Sequence, residues 1–416
     1  MREKWQKQMP LMAHIKDHSQ CQELEVISKI IDANPTICDY ILQDLNKGKV
    51  IAQRAGAKGM SADQVLRCMI VKTLFDFSYE ELAFHIVDSQ SLRWFCRIGI
   101  ADEGFKKSAL NRNIKVIADQ TWEMINRQIL GYAQIHNIEK GRKVRTDCTC
   151  VESNIHPPTD STLLWDAVRV LSRLIESCRD DYGLKVSDKV LDYSHRTIEA
   201  IKLISVNPDM FPLYRDIEHF ADLTEKVIDQ TKRRVLLGQT VPSGEKVVSI
   251  FEEHTDIIKK DRRDTIYGHK ICLTGGASNL ILDCVIAQGN PADTAMAIPM
   301  LDRQKYIYGR YPLKVSFDGG FASKDNLKLA KERKIKDVCF AKKRGLKETD
   351  MCRSEYVYHG LRRFRAGIEA GISWLKRCMG LTRCTWKGWS AFKSYVWSSI
   401  VAANLLTIAR MQLVAT

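Results

Sequence analysis

The sequence lacks the features of a secreted or membrane-embedded chain. The first ten residues, MREKWQKQMP, are charged and polar and contain no apolar stretch typical of a secretory signal. The most apolar stretch, residues 395–409, is interrupted by polar side chains and is too short to span a bilayer. We therefore expect a buried closing helix there, and a protein without a membrane partner.

The cysteines do not form the paired CxxC motifs that are typical of a structural zinc site. Cys148 and Cys150 form a CxC motif, but strand alternation would place both on one face, as expected of small buried residues. Cys378 and Cys384 have no histidine partners at zinc spacing. The 13 cysteines, an odd number scattered along the chain, are therefore predicted to be reduced thiols in a cytoplasmic protein.

Acidic residues are the minority among the charged side chains, with 50 Asp and Glu against 64 Lys and Arg, so the formal net charge is +14. A basic balance of this size favours a polyanionic partner, because each Lys or Arg that binds a phosphate releases a counterion. Many basic proteins bind no nucleic acid, so charge favours such a partner without deciding the matter. The length of 416 residues predicts two or three domains.

The first part of the chain is predicted to be helical. Residues 1–55 have apolar side chains at helical spacing. Three short helices are predicted in residues 56–138: Ser61 caps the first, Ser78 caps the second, and the third begins near Lys107. Short helices joined by short turns are typical of a helix-turn-helix DNA-binding module, although a plain helical bundle fits the same pattern. The third helix carries side chains able to reach base edges or phosphates, namely Asn111, Arg112, Asn113 and Lys115.

Beyond residue 138 strands and helices alternate. A strand is predicted at 143–151, a mostly helical block at about 160–245, a hairpin with arms at 269–274 and 280–287, and further strands at 313–317 and 337–341. Helices are predicted at 324–333, at 361–378 and at the end of the chain. Without the helical block, this order matches a ribonuclease-H-like fold, a mixed sheet flanked by helices. The sequence thus predicts an α/β catalytic domain over residues 139–416, with the block as an insertion.

Three acidic residues lie where metal-ion chemistry on a phosphodiester needs them. Asp147 interrupts a strand, where propensity disfavours it, and Asp318 ends a strand before two glycines that let backbone and substrate approach. Glu369 lies on the late helix in a basic stripe that includes Arg362, Arg365 and Lys376. Each acid alone has a simpler explanation: an edge strand facing water, an ordinary turn, or a surface ion pair. Their order along the fold is what favours a shared site.

Three stretches resemble DDE transposases of bacterial insertion sequences, in the IS5-like and ISNCY-like groups. They are RTDCTCVESNIHPPTDS at 145–161, FDGGFAS at 317–323 and RFRAGIEAGISWLKR at 363–377. The resemblance covers most of the chain from Gly56 onward and is loose within the helical block. One departure is that many relatives have a Tyr at the start of the third stretch, where Arg363 and Phe364 stand here.

The resemblance implies that Asp147, Asp318 and Glu369 are catalytic and bind two Mg²⁺ ions, with Mn²⁺ as a substitute. It also implies that residues 56–138 bind terminal inverted repeats, and that double-stranded DNA, as element ends and target, is the partner. Because two DNA ends must be held together, a homodimer or a larger assembly is expected. Contacts to DNA are then predicted for Arg362, Arg365, Lys376, Asn111, Arg112 and Lys115.

The expected activity is DNA cleavage followed by strand transfer, in which a freed 3′-hydroxyl attacks target DNA without a covalent enzyme–DNA intermediate. A ribonuclease-H-like nuclease that cuts without joining is the alternative enzyme, and an inactive domesticated DNA-binding protein is the alternative from another class. A structural helical scaffold would leave the strands and the glycine pair unexplained. In residues 378–393, basic side chains interleave with Trp386 and Trp389, which would either stack on an unpaired strand or pack under the closing helix.

Overall fold

The computed structural model describes Lys4 and residues 18–48, 59–182, 211–260 and 264–415. The chain divides into two compact units, of which the larger comprises Met1–Glu152 and His269–Thr416 and the smaller comprises Ser153–Gly268. Parts of the predicted helical segment 1–55, and residues 183–210 of the predicted helical block, lie outside the described residues.

Short helices precede the first strand of the larger unit. Ser61 and Ser78 each begin a helix as predicted, and each forms a reciprocal cap with the residue three positions later, Gln64 or Glu81. A six-residue helix, α5, was not predicted. The described helices of this part are α1 (Ser19–Asp32), α2 (Thr36–Asn46), α3 (Ala62–Leu74), α4 (Tyr79–Asp88), α5 (Gln90–Phe95), α6 (Lys107–Lys115) and α7 (Asp119–Ile135).

The smaller unit is mainly helical in its described part, as predicted for the block at 160–245. Its apolar core includes Leu163, Leu223 and Ile250. A short strand, β2, was not predicted; it pairs antiparallel with the first half of β3, so that Asp256 lies opposite Gly268. The elements are α8 (Asp160–Tyr182), α9 (Phe211–Thr231), a π-helical turn (Lys232–Leu236), β2 (Asp256–Lys260) and the start of β3 (Asp264–Gly275).

The larger unit contains a mixed sheet. Strands β1 (Lys143–Glu152) and β5 (Lys314–Phe317) are parallel neighbours, and β6 (Asp337–Phe340) is parallel to β5 on its other side. On the far side of β1 lies β3, which forms the predicted antiparallel hairpin with β4 (Ile281–Ile286). Parallel pairing points the carboxyl ends of β1, β5 and β6 in the same direction, and β1 continues to Glu152, beyond the end of β5.

Helices flank this sheet, and the mixed α/β arrangement fits a ribonuclease-H-like DDE domain. The closing helix is largely buried, as predicted for residues 395–409. Within the described ranges, the helices are all too short or too polar to cross a bilayer. The flanking helices are α10 (Asp293–Tyr308), α11 (Lys324–Glu332), α12 (Glu348–Met351), α13 (Glu355–Cys378) and α14 (Trp389–Ala415).

Candidate active site

Strand β1 carries Asp147 into the site. Arg145 and Asp147 are two residues apart and therefore share one face of the strand. Only 16% of the Asp147 side chain is exposed, and its Oδ1 accepts a hydrogen bond of 2.8 Å from the backbone N–H of Cys148. The parallel register pairs Thr146 with Phe317. Asp147 and Asp318 are the next residues on the two strands and therefore lie side by side.

Asp318 lies at the carboxyl end of β5, just beyond an aromatic cluster. The buried ring of Phe317 stacks on those of Phe321 and Phe340, with centroids 5.3 and 5.6 Å away, and this packing fixes the strand end. Asp318 then leads into a 3₁₀ turn over Gly319–Phe321.

The two glycines after Asp318 make room for other side chains of the protein. A Cβ on Gly319 would lie 2.7 Å from the Cβ of Lys342, and a Cβ on Gly320 would lie 2.6 Å from an Oδ atom of Asp293. Both distances are shorter than side chains tolerate. The sequence explained these glycines by the approach of substrate, whereas in the structure they accommodate side chains of the chain itself.

Helix α13 carries Glu369 and is attached to each of the three parallel strands. Arg145 on β1 donates to the backbone oxygen of Phe364 at 2.9 Å, and Ser316 on β5 donates to that of Leu361 at 3.0 Å. From the helix, the hydroxyl of Tyr358 donates to the backbone oxygen of a β6 residue at 3.0 Å. These three hydrogen bonds fix the position of α13 on the sheet, and thereby the position of Glu369 relative to the strand ends.

Arg145 is buried as well, with 5% of its surface exposed. Its guanidinium lies over the Phe364 ring at 4.6 Å and also donates to the side chain of Asn279 at the hairpin turn. A Cβ on Gly367 would lie 1.9 Å from an Nη atom of Arg145, so the glycine leaves space for the guanidinium. Arg145 therefore connects β1, the hairpin and α13.

The three predicted acids meet around one guanidinium, that of Arg365. Its Nη1 lies 3.0 Å from Asp318 and 3.6 Å from Asp147, and its Nη2 lies 2.7 Å from Glu369. The exposed fraction rises outward, from 16% for Asp147 to 38% for Asp318 and 56% for Glu369. The structure thus brings together residues that are remote in sequence, in a site open to solvent on the Glu369 side.

Burial, together with the neighbouring carboxylates, raises the pKa of Asp147 from its usual 3.8 to about 6. Burial is the largest cause, followed by repulsion from Asp318; the Cys148 N–H and Arg365 oppose the rise. The cluster therefore holds more negative charge than its surroundings stabilise, and an added cation would relieve the imbalance.

The donor chemistry of the site suits a hard divalent cation. Carboxylate oxygens are the ligands that Mg²⁺ prefers, and three of them converge here from two strands and a helix. As the side chains stand in the described part of the chain, no group of three His, Cys, Asp or Glu residues closes around a single point at metal-binding distance. In this site the Arg365 guanidinium lies between the carboxylates, in the position where cations would have to bind. The residue types fit the ions, and Arg365 would have to give up its contacts for them to enter.

The other residues predicted on α13 differ in exposure. Arg362 is exposed, one turn before Arg365, and Lys376 is half-buried further along the helix. The two tryptophans after α13 pack in the protein: Trp386 is 3% exposed and meets the ring of Tyr395, and Trp389 stacks on Phe392. Of the two interpretations offered, packing under the closing helix is the one that the structure supports for Trp386, whereas Trp389 is the half-buried first residue of that helix.

Helix α6, predicted to contact DNA, presents its polar residues unequally. Arg112 is exposed and Asn111 is half-buried. Asn113 is buried and donates to the backbone oxygen of Ala109, so this side chain is not exposed to reach base edges or phosphates as the sequence suggested. Lys115 lies over the rings of Tyr79 and Trp386, at 5.8 and 6.0 Å, and burial lowers its pKa.

Sequence reasoning missed two basic residues of this site. Arg145 was quoted within a motif but given no role, although a lone Arg two residues before a strand Asp must share its face. Lys342 was not considered, although it directly follows the strand predicted at 337–341. The signal that could have identified Lys342 is its position just after β6, the strand that pairs with β5.

Comparison with protein families locates two matches on the chain. Residues 240–405 match the Transposase DDE domain, a stretch that contains Asp318 and Glu369 but not Asp147. Residues 11–116 match the Transposase domain (DUF772). No curated protein and no solved structure matches the chain. The two domain matches together indicate a transposase of the DDE type and suggest DNA as its partner.

Proposed function

Because the chain carries two transposase domains, we propose that it is the transposase of a bacterial insertion sequence of the IS5-like or ISNCY-like group. In this proposal it binds the terminal inverted repeats of its element, cleaves the DNA at each end and joins the freed ends to target DNA. The supporting observation is the convergence of Asp147, Asp318 and Glu369 on one guanidinium.

Asp147, Asp318 and Glu369 would hold two Mg²⁺ ions, for which Mn²⁺ would substitute. Bound there, the ions supply activation of the attacking oxygen and stabilisation of the leaving oxygen. The chain itself supplies position: the β1–β5 register places two of the acids, and the three hydrogen bonds to α13 place the third. These contacts position the three acids near one another before DNA arrives.

Arg365 changes partner in this proposal. In the free protein its guanidinium offsets part of the repulsion among the carboxylates. With the ions bound, Arg365 would instead contact a DNA phosphate, for which its planar fork is well suited. Arg362 and Lys376, seven residues before and after Glu369, would extend this contact along the same face of α13.

The N-terminal residues would recognise the element ends. We propose that residues 56–138 form the inverted-repeat-binding domain, with α6 as its DNA-facing helix. Arg112 is exposed and free to reach DNA, whereas Asn111 and Lys115 are half-buried and would contribute from the rim of the surface. The helical insertion at 160–245 separates the first catalytic strand from the rest. We place the protein in the bacterial cytoplasm, on the nucleoid when bound, as a dimer or larger assembly that holds two ends.

The proposal is tested by Glu369→Gln, which keeps the size of the side chain and removes its charge. Labelled duplexes taken from the two borders of the gene's flanking DNA serve as substrates, with Mg²⁺ or Mn²⁺. We expect end binding at the wild-type level and a loss of cleavage of at least about 100-fold. Pre-cut ends supplied with a target plasmid then report strand transfer separately.

Glu355→Gln is the matched control, because Glu355 is exposed on the first turn of the same helix. It should cleave and join like the wild type. Cleavage without joining of pre-cut ends would favour the nuclease, and binding without cleavage by the wild type would favour the inactive DNA-binding protein. A Glu369→Gln protein that still cuts would refute the site.

A further inference from the structure

Lys342 lies beside Asp318, at the edge of the site. Strands β5 and β6 are parallel and in register from Lys314 opposite Asp337 to Phe317 opposite Phe340. The pairing continues past the strands, because the backbone N–H of Ala341 donates to the oxygen of Phe317 at 3.0 Å. The next residues along, Gly319 and Lys342, are therefore lateral neighbours one position beyond Asp318.

The stem of Lys342 lies flat against Gly319. A Cβ on that glycine would lie 2.7, 2.7 and 3.0 Å from the Cβ, Cγ and Cδ of Lys342, and the first two distances are closer than side chains tolerate. Any larger residue at position 319 would therefore displace the lysine. The glycine thus allows a long cationic side chain to lie across the end of β5, next to a catalytic acid.

Among the described residues, the Lys342 ammonium has no carboxylate within ion-pair distance, although its side chain is exposed beside an acidic site. Asp318 pairs with Arg365 instead. The next residue in the loop, Lys343, is paired with Glu348 at 2.5 Å. The loop therefore holds one lysine engaged with the protein and one whose charge is available to a ligand.

We propose that Lys342 binds a DNA phosphate next to the phosphodiester that is cut. An ammonium on a flexible stem binds phosphate as a point charge, and here the stem is held while the charged end is free. The inference rests on the proposed function, because that function supplies the phosphate. It assigns a further DNA contact to the catalytic domain, on the β6 side of the acids and apart from the basic stripe of α13.

The test is equilibrium binding of end duplexes and unrelated duplexes in metal-free buffer, over a range of salt concentrations. Loss of one phosphate contact should make the slope of log affinity against log salt shallower by about 0.9, on both kinds of DNA. We expect this change for Lys342→Gln, and the wild-type slope for Lys342→Arg, which keeps the charge. Lys343→Gln is the matched control: it removes an equal charge from the adjacent, paired lysine and should leave the slope unchanged.

The position of the contact is tested with duplexes that carry one neutral methylphosphonate at successive phosphates around the cut. At the contacted phosphate, the substitution should weaken binding by the wild type about tenfold and leave binding by Lys342→Gln unchanged, because contact and charge are removed together. Equal slopes for Lys342→Gln and Lys343→Gln, or additive effects at every phosphate, would overturn the inference. If the wild type cleaves the ends in those cases, the proposed function stands and only Lys342 is wrongly assigned; if it binds neither duplex, both fail.

Discussion

Asp147 is stabilised poorly by the fold that contains it. Its carboxyl is mostly buried, Asp318 lies beside it, and its pKa rises to about 6. Because the folded pKa is above the unfolded value, folding favours the protonated form. The ionised carboxylate therefore destabilises the fold above about pH 6, and this penalty fades as the pH falls towards 4. The site holds a charge that costs stability in the absence of a counter-ion.

Replacing this charge should stabilise the protein and abolish its activity. Asp147→Asn keeps the oxygen that accepts from Cys148 and removes the charge, so we expect the free energy of unfolding at pH 8 to rise by about 1–3 kcal/mol. The gain should shrink as the pH is lowered from 7 to 4. Urea unfolding at several pH values measures it.

The same variant tests whether Asp147 binds a metal ion or is only an acid in an unfavourable position. Mg²⁺ should raise the melting temperature of the wild type and not that of Asp147→Asn, because a cation that binds only the folded state stabilises it. Asp222→Asn, at an exposed position in the middle of α9, is the control and should change neither quantity. An Asp147→Asn protein that is less stable than the wild type at pH 8 would show that the carboxylate is not strained.

At this scale the sequence was informative about the acids and uninformative about the cations around them. Asp147, Asp318 and Glu369 were predicted from their order along the fold and from the family resemblance, because each acid alone had a simpler explanation. The pairing of Arg365 with Glu369 follows from their i, i+4 spacing on one helix. Its contacts with Asp147 and Asp318 were not predictable, because they depend on how α13 lies across the strands. The position of Lys342 likewise depends on the register of β5 and β6, and the side-chain pattern of a single strand does not predict that register.

Among the elements, those with local signals were predictable. The serine caps of α3 and α4, the hairpin of β3 and β4, and strand β5 follow from capping residues, glycines and β-branched runs. Helix α10 was missed, and Pro299 in its interior is one reason, since proline usually ends a helix. Strand β2 was missed because three of its five residues, Asp256, Lys259 and Lys260, are charged. Only its pairing with β3 makes it a strand.

The attachment of α13 to the sheet predicts an unusual result for a glycine in a helix. Gly367→Ala should raise helix propensity by about 1 kcal/mol. The new methyl would nevertheless meet the guanidinium of Arg145, which is buried, stacked on Phe364 and hydrogen-bonded on two sides. Moving it would cost charged hydrogen bonds worth about 1.5–3 kcal/mol each. We therefore expect a net loss of about 1–3 kcal/mol in urea unfolding, together with reduced cleavage.

Gly371, one turn later on the same helix, provides the matched comparison. Apart from the adjacent residues and the backbone of its own helix, no atom of the described residues lies within 4 Å of a Cβ built there. Gly371→Ala should therefore add about 0.5–1 kcal/mol of stability and leave cleavage unchanged. If both alanines stabilise the protein equally, Arg145 does not hold α13 in place.

Across the larger unit, the N-terminal helices and the catalytic sheet share one core. Buried side chains continue from Ile27 through Trp122 and Leu273 to Ile400 without interruption. The division into residues 1–55, 56–138 and 139–416 remains a prediction from changes of pattern along the chain. Pattern shows where helical periodicity gives way to strands, but not whether the two parts pack on each other, because that depends on contacts between residues far apart in sequence.

Asn404 is a polar connection within this core. Its side chain donates to Asn126 on α7 and exchanges two hydrogen bonds with the backbone of Ile281 on β4, each 2.8 Å long. All three residues are buried. Removal of the amide would therefore leave polar groups without partners on both a helix of the N-terminal part and a strand of the sheet.

Asn404→Ala accordingly tests whether these parts unfold together. The buried groups left unpaired should cost about 2–4 kcal/mol, which would speed the exchange of the slowest amides about 30- to 1000-fold. If the parts are one cooperative unit, amide exchange followed by mass spectrometry should accelerate by the same factor in peptides from α7 and from β4. Met411→Ala, at an exposed position on α14, the helix that also carries Asn404, should leave both rates unchanged. Acceleration confined to β4 would mean that the N-terminal helices fold as a separate domain, able to bind DNA without the catalytic sheet.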